Sequence, residues 1–259
     1  MFIDSHCHLD CLDLSPYQND IGVFLKHQRD AGLDHMLCVS IGLEKFAKMT
    51  DFVGINEMVS FSVGVHPNEV SEIESTEMDI VNLATSVKNV VAVGETGLDF
   101  FHADVDREVQ IARLRTHIQA ARKLNLPLII HSREAIDDIL AILKEERAEE
   151  VGGVFHCFTE NWESACRILD IGFYVSFSGI LTFKNAFDIQ DVAKKIPLDK
   201  FLIETDSPYL APAPYRGKQN YPCYVRYVAE FMARLRMMDI EHIAYHSSNN
   251  FNMLFGAAT

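Results

Sequence analysis

The chain has 259 residues, 48% of them hydrophobic, and a formal net charge of −14 at pH 7. That length suits one (β/α)8 barrel, and the apolar fraction is enough for its core. The longest apolar runs, such as 126–130, are too short to cross a bilayer, and the acidic balance argues against a general nucleic-acid binder, whose nonspecific affinity comes from Lys and Arg.

Short β-rich runs alternate with longer segments of helical period. Strands are expected at 1–5, 35–41, 59–65, 89–94, 127–131, 153–156, 172–176 and 201–205. Between them, Ile111, Leu114, Ile118, Ala121 and Leu124 form one apolar stripe, and Trp162, Ala165, Cys166 and Leu169 a second. Val225, Val228, Ala229, Met232 and Leu235 form a third, and residues 241–255 read as a last helix. Segments 16–31, 43–56, 76–88, 134–148 and 184–196 fit the remaining crossovers. Strict alternation implies parallel strands, and eight of them closing on themselves make an α/β TIM barrel, one domain over residues 1–259. The competing open doubly wound sheet needs a G-x-G-x-x-G turn after its first strand, which this sequence lacks.

The N-terminal residues show neither a basic region nor an apolar stretch, so no secretory signal is expected. Cys7, Cys11, Cys38, Cys157, Cys166 and Cys223 contain no C-x-x-C pair and read as thiols in a reducing compartment. The expectation is a cytoplasmic protein with no membrane association and no obligate protein partner. Cys7 and Cys157 each adjoin a histidine singled out below, and strand alternation should turn them to the opposite face.

One pattern repeats at strand ends. His6 and His8 close the first run, Glu95 the fourth, His131 the fifth, His156 the sixth, and Asp206 follows the eighth. Imidazoles and carboxylates are the donors divalent metals take, and a barrel gathers its strand ends at one mouth. Residues two apart share a strand face, so His6, His8 and Asp4 should point together. Asp4 and Glu204 are expected one layer below, facing each other or the outer nitrogens of the histidines. His66 closes the third run, either as a hydrogen-bond donor to substrate or as a histidine packed before a turn proline; the donor role is expected. Arg133, Arg216 and Lys218 are the expected phosphate holders. Lys184 is a weaker candidate, and Tyr209, Phe100 and Phe101 are either base-stacking or wall residues.

The motifs Ser5-His6-Cys7-His8-Leu9-Asp10, Gly64-Val65-His66-Pro67, Gly94-Glu95-Thr96-Gly97-Leu98-Asp99 and His131-Ser132-Arg133 resemble the TatD family of metal-dependent hydrolases. So do His156-Cys157-Phe158, Ser176-Phe177-Ser178-Gly179 and Glu204-Thr205-Asp206-Ser207-Pro208-Tyr209-Leu210. The match spans the chain in order, and 178–186 with Arg216-Gly217-Lys218 is most similar to the YcfH-like branch. The resemblance implies a metallo-dependent hydrolase barrel with two divalent ions (Zn, Mn, Ni, Co or Mg) and DNase activity. It implies that His6, His8, Glu95 and Asp206 hold one ion, and Glu95, His131 and His156 the other. Tyr221 stands where the family commonly has Glu.

Two such ions, about 3.5–4 Å apart, would clamp a phosphoryl group and activate a water. Asp206 is the candidate to orient that water and take its proton, so Asp206, Glu95 and His66 form the expected catalytic set. The leading expectation is exonucleolytic hydrolysis of DNA, single-stranded or at ends. The alternative is the same centre acting on a non-nucleic-acid or aminoacyl-tRNA ester or amide. A lysine on the fourth strand would mark many amide-hydrolysing relatives, and Glu95 occupies that place. A non-catalytic binding barrel would have lost a ligand, and none is missing.

Overall fold

The computed structural model describes residues 2–71, 73–102 and 104–256. Met1, the first residue of the expected first strand, lies outside them. Eight strands run in parallel in the order of the chain: β1 (Phe2–Cys7), β2 (Leu33–Cys38), β3 (Val59–Val63), β4 (Val90–Asp99), β5 (Leu128–Arg133), β6 (Gly153–Phe155), β7 (Tyr174–Phe177) and β8 (Phe201–Ile203). Helices α1 (Ile21–Asp30), α2 (Leu43–Val53), α3 (Glu77–Ser86), α4 (Arg107–Leu124), α5 (Ile136–Glu145), α6 (Trp162–Asp170) and α7 (Phe187–Lys195) connect them, and α8 (Val225–Arg236) and α9 (Ile240–Phe255) follow β8. The fold is a TIM barrel, as the alternation predicts. No helix among the described residues is long and apolar enough to cross a membrane.

The helices begin where side chains satisfy their free amides. Asp20 accepts from two amides at the start of α1, and Thr76 with Asp79 forms a reciprocal cap on α3. The seventh strand begins two residues later than predicted because Gly172, at φ +83°, belongs to the turn that ends α6.

The main core lies between strands and helices. A second cluster fills the barrel, where Ile3, Leu37, Ala92, Ile129, Val154 and Leu202 meet Phe251 and Phe255 of α9. Thus α9 packs its aromatic face against the base of the barrel, opposite the strand ends that carry the polar residues. On β5, β6 and β8, the next inward positions after that apolar layer are His131, His156 and Glu204.

Two irregularities re-aim side chains. The register of β1 against β2 shifts between Asp4 and Cys7, and that of β4 against β5 shifts between Val93 and Thr96. Ala92 therefore packs inside the barrel although Glu95, three residues on, also faces inward; only a bulge allows both. Between β8 and β1 the ladder reduces to one bridge, Cys7 to Ser207. Asp206 N–H donates to His6 O at 2.9 Å and His8 N–H to Ser207 O at 2.8 Å across that seam.

Candidate metal centre

Glu95 is the middle of the cluster. Its Oε1 lies 2.7 Å from His156 Nε2, 3.1 Å from His131 Nδ1 and 3.5 Å from His66 Nε2. Its Oε2 lies 3.4 Å from His6 Nε2 and 3.9 Å from His8 Nε2. The two oxygens thus face two different sets of imidazoles. Asp206 Oδ1 joins the second set, 3.4 Å from His8 Nε2 and 3.7 Å from His6 Nε2. His6 also stacks on His156, with ring centroids 4.0 Å apart.

All six sequence-predicted ligands therefore converge. Glu95 is not at a strand end, because β4 continues four residues beyond it. Gly97 permits that extension: a Cβ there would lie 2.0 Å from His131 O, so β4 and β5 approach too closely for any side chain.

One outer ring nitrogen finds an acceptor, and those of His6, His131 and His156 are buried without a hydrogen-bond partner. His8 Nδ1 donates to Val39 O at 3.0 Å. His156 Nδ1 lies 3.4 Å from Glu204 Oε1, which also accepts from Cys157 N–H at 2.7 Å. Glu204 thus takes the predicted place. Asp4 does not: it accepts from the Thr205 amide and hydroxyl, and His6 Nδ1 is buried without a partner. The bulge between Asp4 and Cys7 breaks the two-residue alternation that would have aligned Asp4 with His6.

Charge and burial compete throughout. Burial opposes ionisation of Glu95, but His156, His66 and His131 outweigh it and hold the carboxyl well below the usual range. Burial likewise opposes the charge on His156, and Glu95 and Glu204 overcome it, pushing that imidazole well up. Burial works against Asp206 too, yet His8, His6 and His156 keep its carboxyl low. His6 goes the other way, lowered by burial and by the charge of His156. The cluster thus sets buried carboxylates among imidazoles. Divalent cations fit this donor set, since His6 and His8 aim Nε2 atoms at each other over 3.3 Å and only one could carry a proton between them.

His66 is a donor. The Asn68 amide donates to its Nδ1 at 3.1 Å, and burial lowers its pKa to about 4. A neutral ring that accepts at Nδ1 carries its proton on Nε2, the atom facing Glu95.

A cavity of about 410 Å³ opens above the cluster. Arg133 and Tyr209 line it, and Arg133 is the one Arg or Lys among its described lining residues. Arg216 and Lys218 are exposed on the segment after β8, outside that lining; Arg216 stacks instead on Phe183 at 4.0 Å. Lys184 is exposed, Phe100 packs under Arg107, and Phe101 lies at the surface under Arg133. Cys157 departs from expectation and lines the cavity, because φ +44° at this residue breaks the strand alternation. Cys7 points away and contacts Leu37 O.

Asp99, Asn68 and His102 were not singled out from sequence. Asp99 Oδ2 accepts from Asn68 Nδ2 at 2.7 Å and His102 Nδ1 at 2.8 Å. Glu95, Gly97 and Asp99 alternate along one strand face, a signal readable only if the strand is carried past Gly94.

A family model described as TatD-related DNase matches residues 3–256 of this chain. The uncharacterized metal-dependent hydrolase YcfH of Escherichia coli (strain K12) is 46% identical over 253 residues, covering 98% of this chain and 95% of that protein. The uncharacterized metal-dependent hydrolase YabD of Bacillus subtilis (strain 168) is 38% identical over 257 residues, covering 98% and 99%. The crystal structure of YjjV, a TatD homolog from Escherichia coli K12, superposes with a TM-score of 0.89 at 28% identity, over 99% of this chain and 98% of that one.

Proposed function

This chain belongs to the TatD family of metal-dependent hydrolases, and we propose that it hydrolyses phosphodiester bonds in DNA from a strand end. The observation that carries the reading is the division of Glu95, one oxygen toward His131 and His156 and the other toward His6 and His8. Two divalent ions would be held there, one by His6, His8, Glu95 and Asp206, the other by Glu95, His131 and His156. Bound, they would polarise the phosphoryl group and lower the pKa of the attacking water.

The chain supplies the rest. Asp206, kept ionised, orients the water and accepts its proton. His66 presents Nε2–H as a fixed donor to an oxygen of the phosphoryl group. Arg133 grips a non-bridging oxygen from the cavity wall. One cation in the lining and a body of −14 suit a short engaged segment better than a long track. Arg216 and Lys218, outside the cavity, are left to contact phosphates further along the strand.

The test follows end-labelled single-stranded DNA with metal-stripped protein resupplied with Mg, Mn, Zn, Ni or Co, beside His6→Ala. Metal-dependent shortening that the variant lacks supports the reading, and the ladder gives polarity. A second reading, hydrolysis of a small carboxyl ester or an aminoacyl-tRNA by the same residues, is favoured by the sparse cationic lining. Absence of cleavage with every metal, with turnover of such an ester, would replace the first reading by the second.

A further inference from the structure

We infer that the loop between β7 and α7 and the segment after β8 together form a platform for single-stranded DNA. Bases stack on the Arg216–Phe183 pair and on Phe187, while Lys184 and Lys218 meet phosphates. The inference rests on the nuclease reading and deepens it by naming where the strand runs outside the cavity.

The two loops are zipped together, starting at the cavity. Ile180 and Leu210 line its wall. Beside them, Gly179 packs so closely that a Cβ would lie 1.9 Å from Leu210 O. Further along both chains, Ala213 N–H donates to Thr182 Oγ1 at 2.9 Å, and the Arg216 guanidinium lies 4.0 Å over the Phe183 ring. Successive contacts thus build one ridge from the cavity wall to the exposed Arg216. A turn in which Ala186 N–H donates to Phe183 O at 3.1 Å then brings in Phe187, the first residue of α7, with 70% of its surface exposed.

Both loops are held from behind. Gln190 Nε2 donates to Leu181 O at 3.1 Å and to Phe183 O at 3.0 Å. Tyr215 stacks on Tyr224 of the neighbouring segment, with centroids 4.3 Å apart, and its hydroxyl lies 3.0 Å from that of Tyr227. Lys218 N–H donates to Tyr215 O at 3.0 Å, and Gly217 takes φ +81°, so a tight turn presents Arg216 and Lys218 to solvent. A surface fixed in advance loses little entropy on binding.

Charge and exposed rings select the occupant. Acids outnumber Lys and Arg 37 to 23 in the chain, yet residues 178–187 and 207–222 carry Lys184, Arg216 and Lys218 with no Asp or Glu. The Lys and Arg ion pairs among the described residues lie elsewhere. Asp188, on the first turn of α7, bounds this cationic stretch. A guanidinium plane and an open aromatic ring take any base, and unpaired cations take phosphates. A duplex hides the faces of its bases, so a single strand is the form that offers both.

The platform contains no residue of the metal centre, so the full chain can be tested in chelator, where no strand is cut. Fluorescence anisotropy would follow a labelled thymidine strand of about ten nucleotides over a salt series. Phe187→Ala should weaken binding about tenfold without changing its salt dependence. Arg216→Lys, which keeps the charge and loses the flat face, should act the same way. Lys184→Ala and Lys218→Ala should each flatten the slope of log affinity against log salt by about 0.7. An abasic strand of equal length should bind more weakly and be indifferent to Phe187→Ala. Wild-type affinity in Phe187→Ala, an equal loss on the abasic strand, or unchanged slopes in both lysine variants would each overturn the inference. So would a dimer, seen by sedimentation, that Phe187→Ala dissolves, because the patch would then belong to a second copy of the chain. Binding is read without turnover, so a strand that is held but never cut with any metal sinks the nuclease reading alone. A strand that is cut but owes nothing to Phe187 sinks this one alone.

Discussion

The Asn68 amide donates to Nδ1 of His66 over 3.1 Å, so the Nε2–H of that neutral ring faces Glu95 from the cavity side. On the proposed mechanism His66 meets substrate, although its Nε2 also lies near enough to Glu95 and His131 to join a metal-binding group. His66→Ala should lower kcat about 100–1,000-fold, the range for removing one fixed donor to developing charge. Metal content, measured by plasma emission spectroscopy, should stay at the wild-type level; loss of an ion would make His66 a ligand after all.

Glu95→Gln should behave differently from every single histidine change. Its two oxygens face two imidazole sets, so the variant should bind both ion equivalents more weakly and lose turnover, whereas His131→Ala should weaken only one. Isothermal titration of stripped protein with Zn or Mn separates the cases. One intact equivalent in Glu95→Gln would mean that the carboxylate serves a single ion.

Arg133 and Lys218 should part company on short substrates. Arg133→Ala should raise KM for a two-nucleotide substrate about tenfold, a loss of roughly 1.4 kcal/mol for one charge-assisted contact. Lys218→Ala should leave that KM alone and act only on longer strands. An equal effect of both on the dinucleotide would bring Lys218 into the cavity.

His117 of α4 predicts a pH dependence of stability. Its Nε2 accepts from the Val65 amide at 3.0 Å and Nδ1 donates to Arg113 O at 2.8 Å; burial above all lowers its pKa from 6.5 to about 4. The unfolded chain takes up this proton below 6.5 and the native one only near 4, so stability is lost as pH falls through that window. The loss reaches roughly 2 kcal/mol by pH 5. Urea midpoints at pH 8 and pH 5 should therefore differ less in His117→Gln than in the wild type. His35 and His66 shift the same way and remain in both proteins, so only the difference reports His117. Parallel slopes would reject the assignment.

Phe251, 1% exposed, packs with the interior residues at the base of the barrel. Phe251→Ala should destabilise the fold by about 3–5 kcal/mol, the usual range for emptying an aromatic site. Ion affinity at the far mouth should change little in thermally intact samples.

Much of the centre was legible because it obeys one rule: an apolar strand followed by a donor. His6, His8, His131, His156 and Asp206 announce themselves in that way, and Glu95 does so by coincidence, since β4 does not end there. Asp99 was hidden by that same bulge. A strand that seemed to stop at Gly94 gave no reason to align Asp99 with Glu95. Asp4 was misjudged for the same physical reason on β1. Arg216 and Lys218 sit on a loop whose course depends on tertiary contacts such as Phe183, which residue spacing does not encode. The three polar positions Gln110, Arg113 and His117 lie on the buried side of α4 and look from sequence like ordinary interruptions of an apolar stripe.

The seam between β8 and β1 is the thinnest joint of the barrel, and the backbone amides of Asp206 and His8 donate across it. Closing the ring and bringing Asp206 to the histidines are therefore one event. A cation shared by the two edges would act as a rivet, adding free energy at the joint that the backbone ladder leaves weakest. The amide protons of His8 and Asp206 should be the ones whose exchange with solvent slows most on loading, so the chemistry of this centre doubles as the clasp of its scaffold.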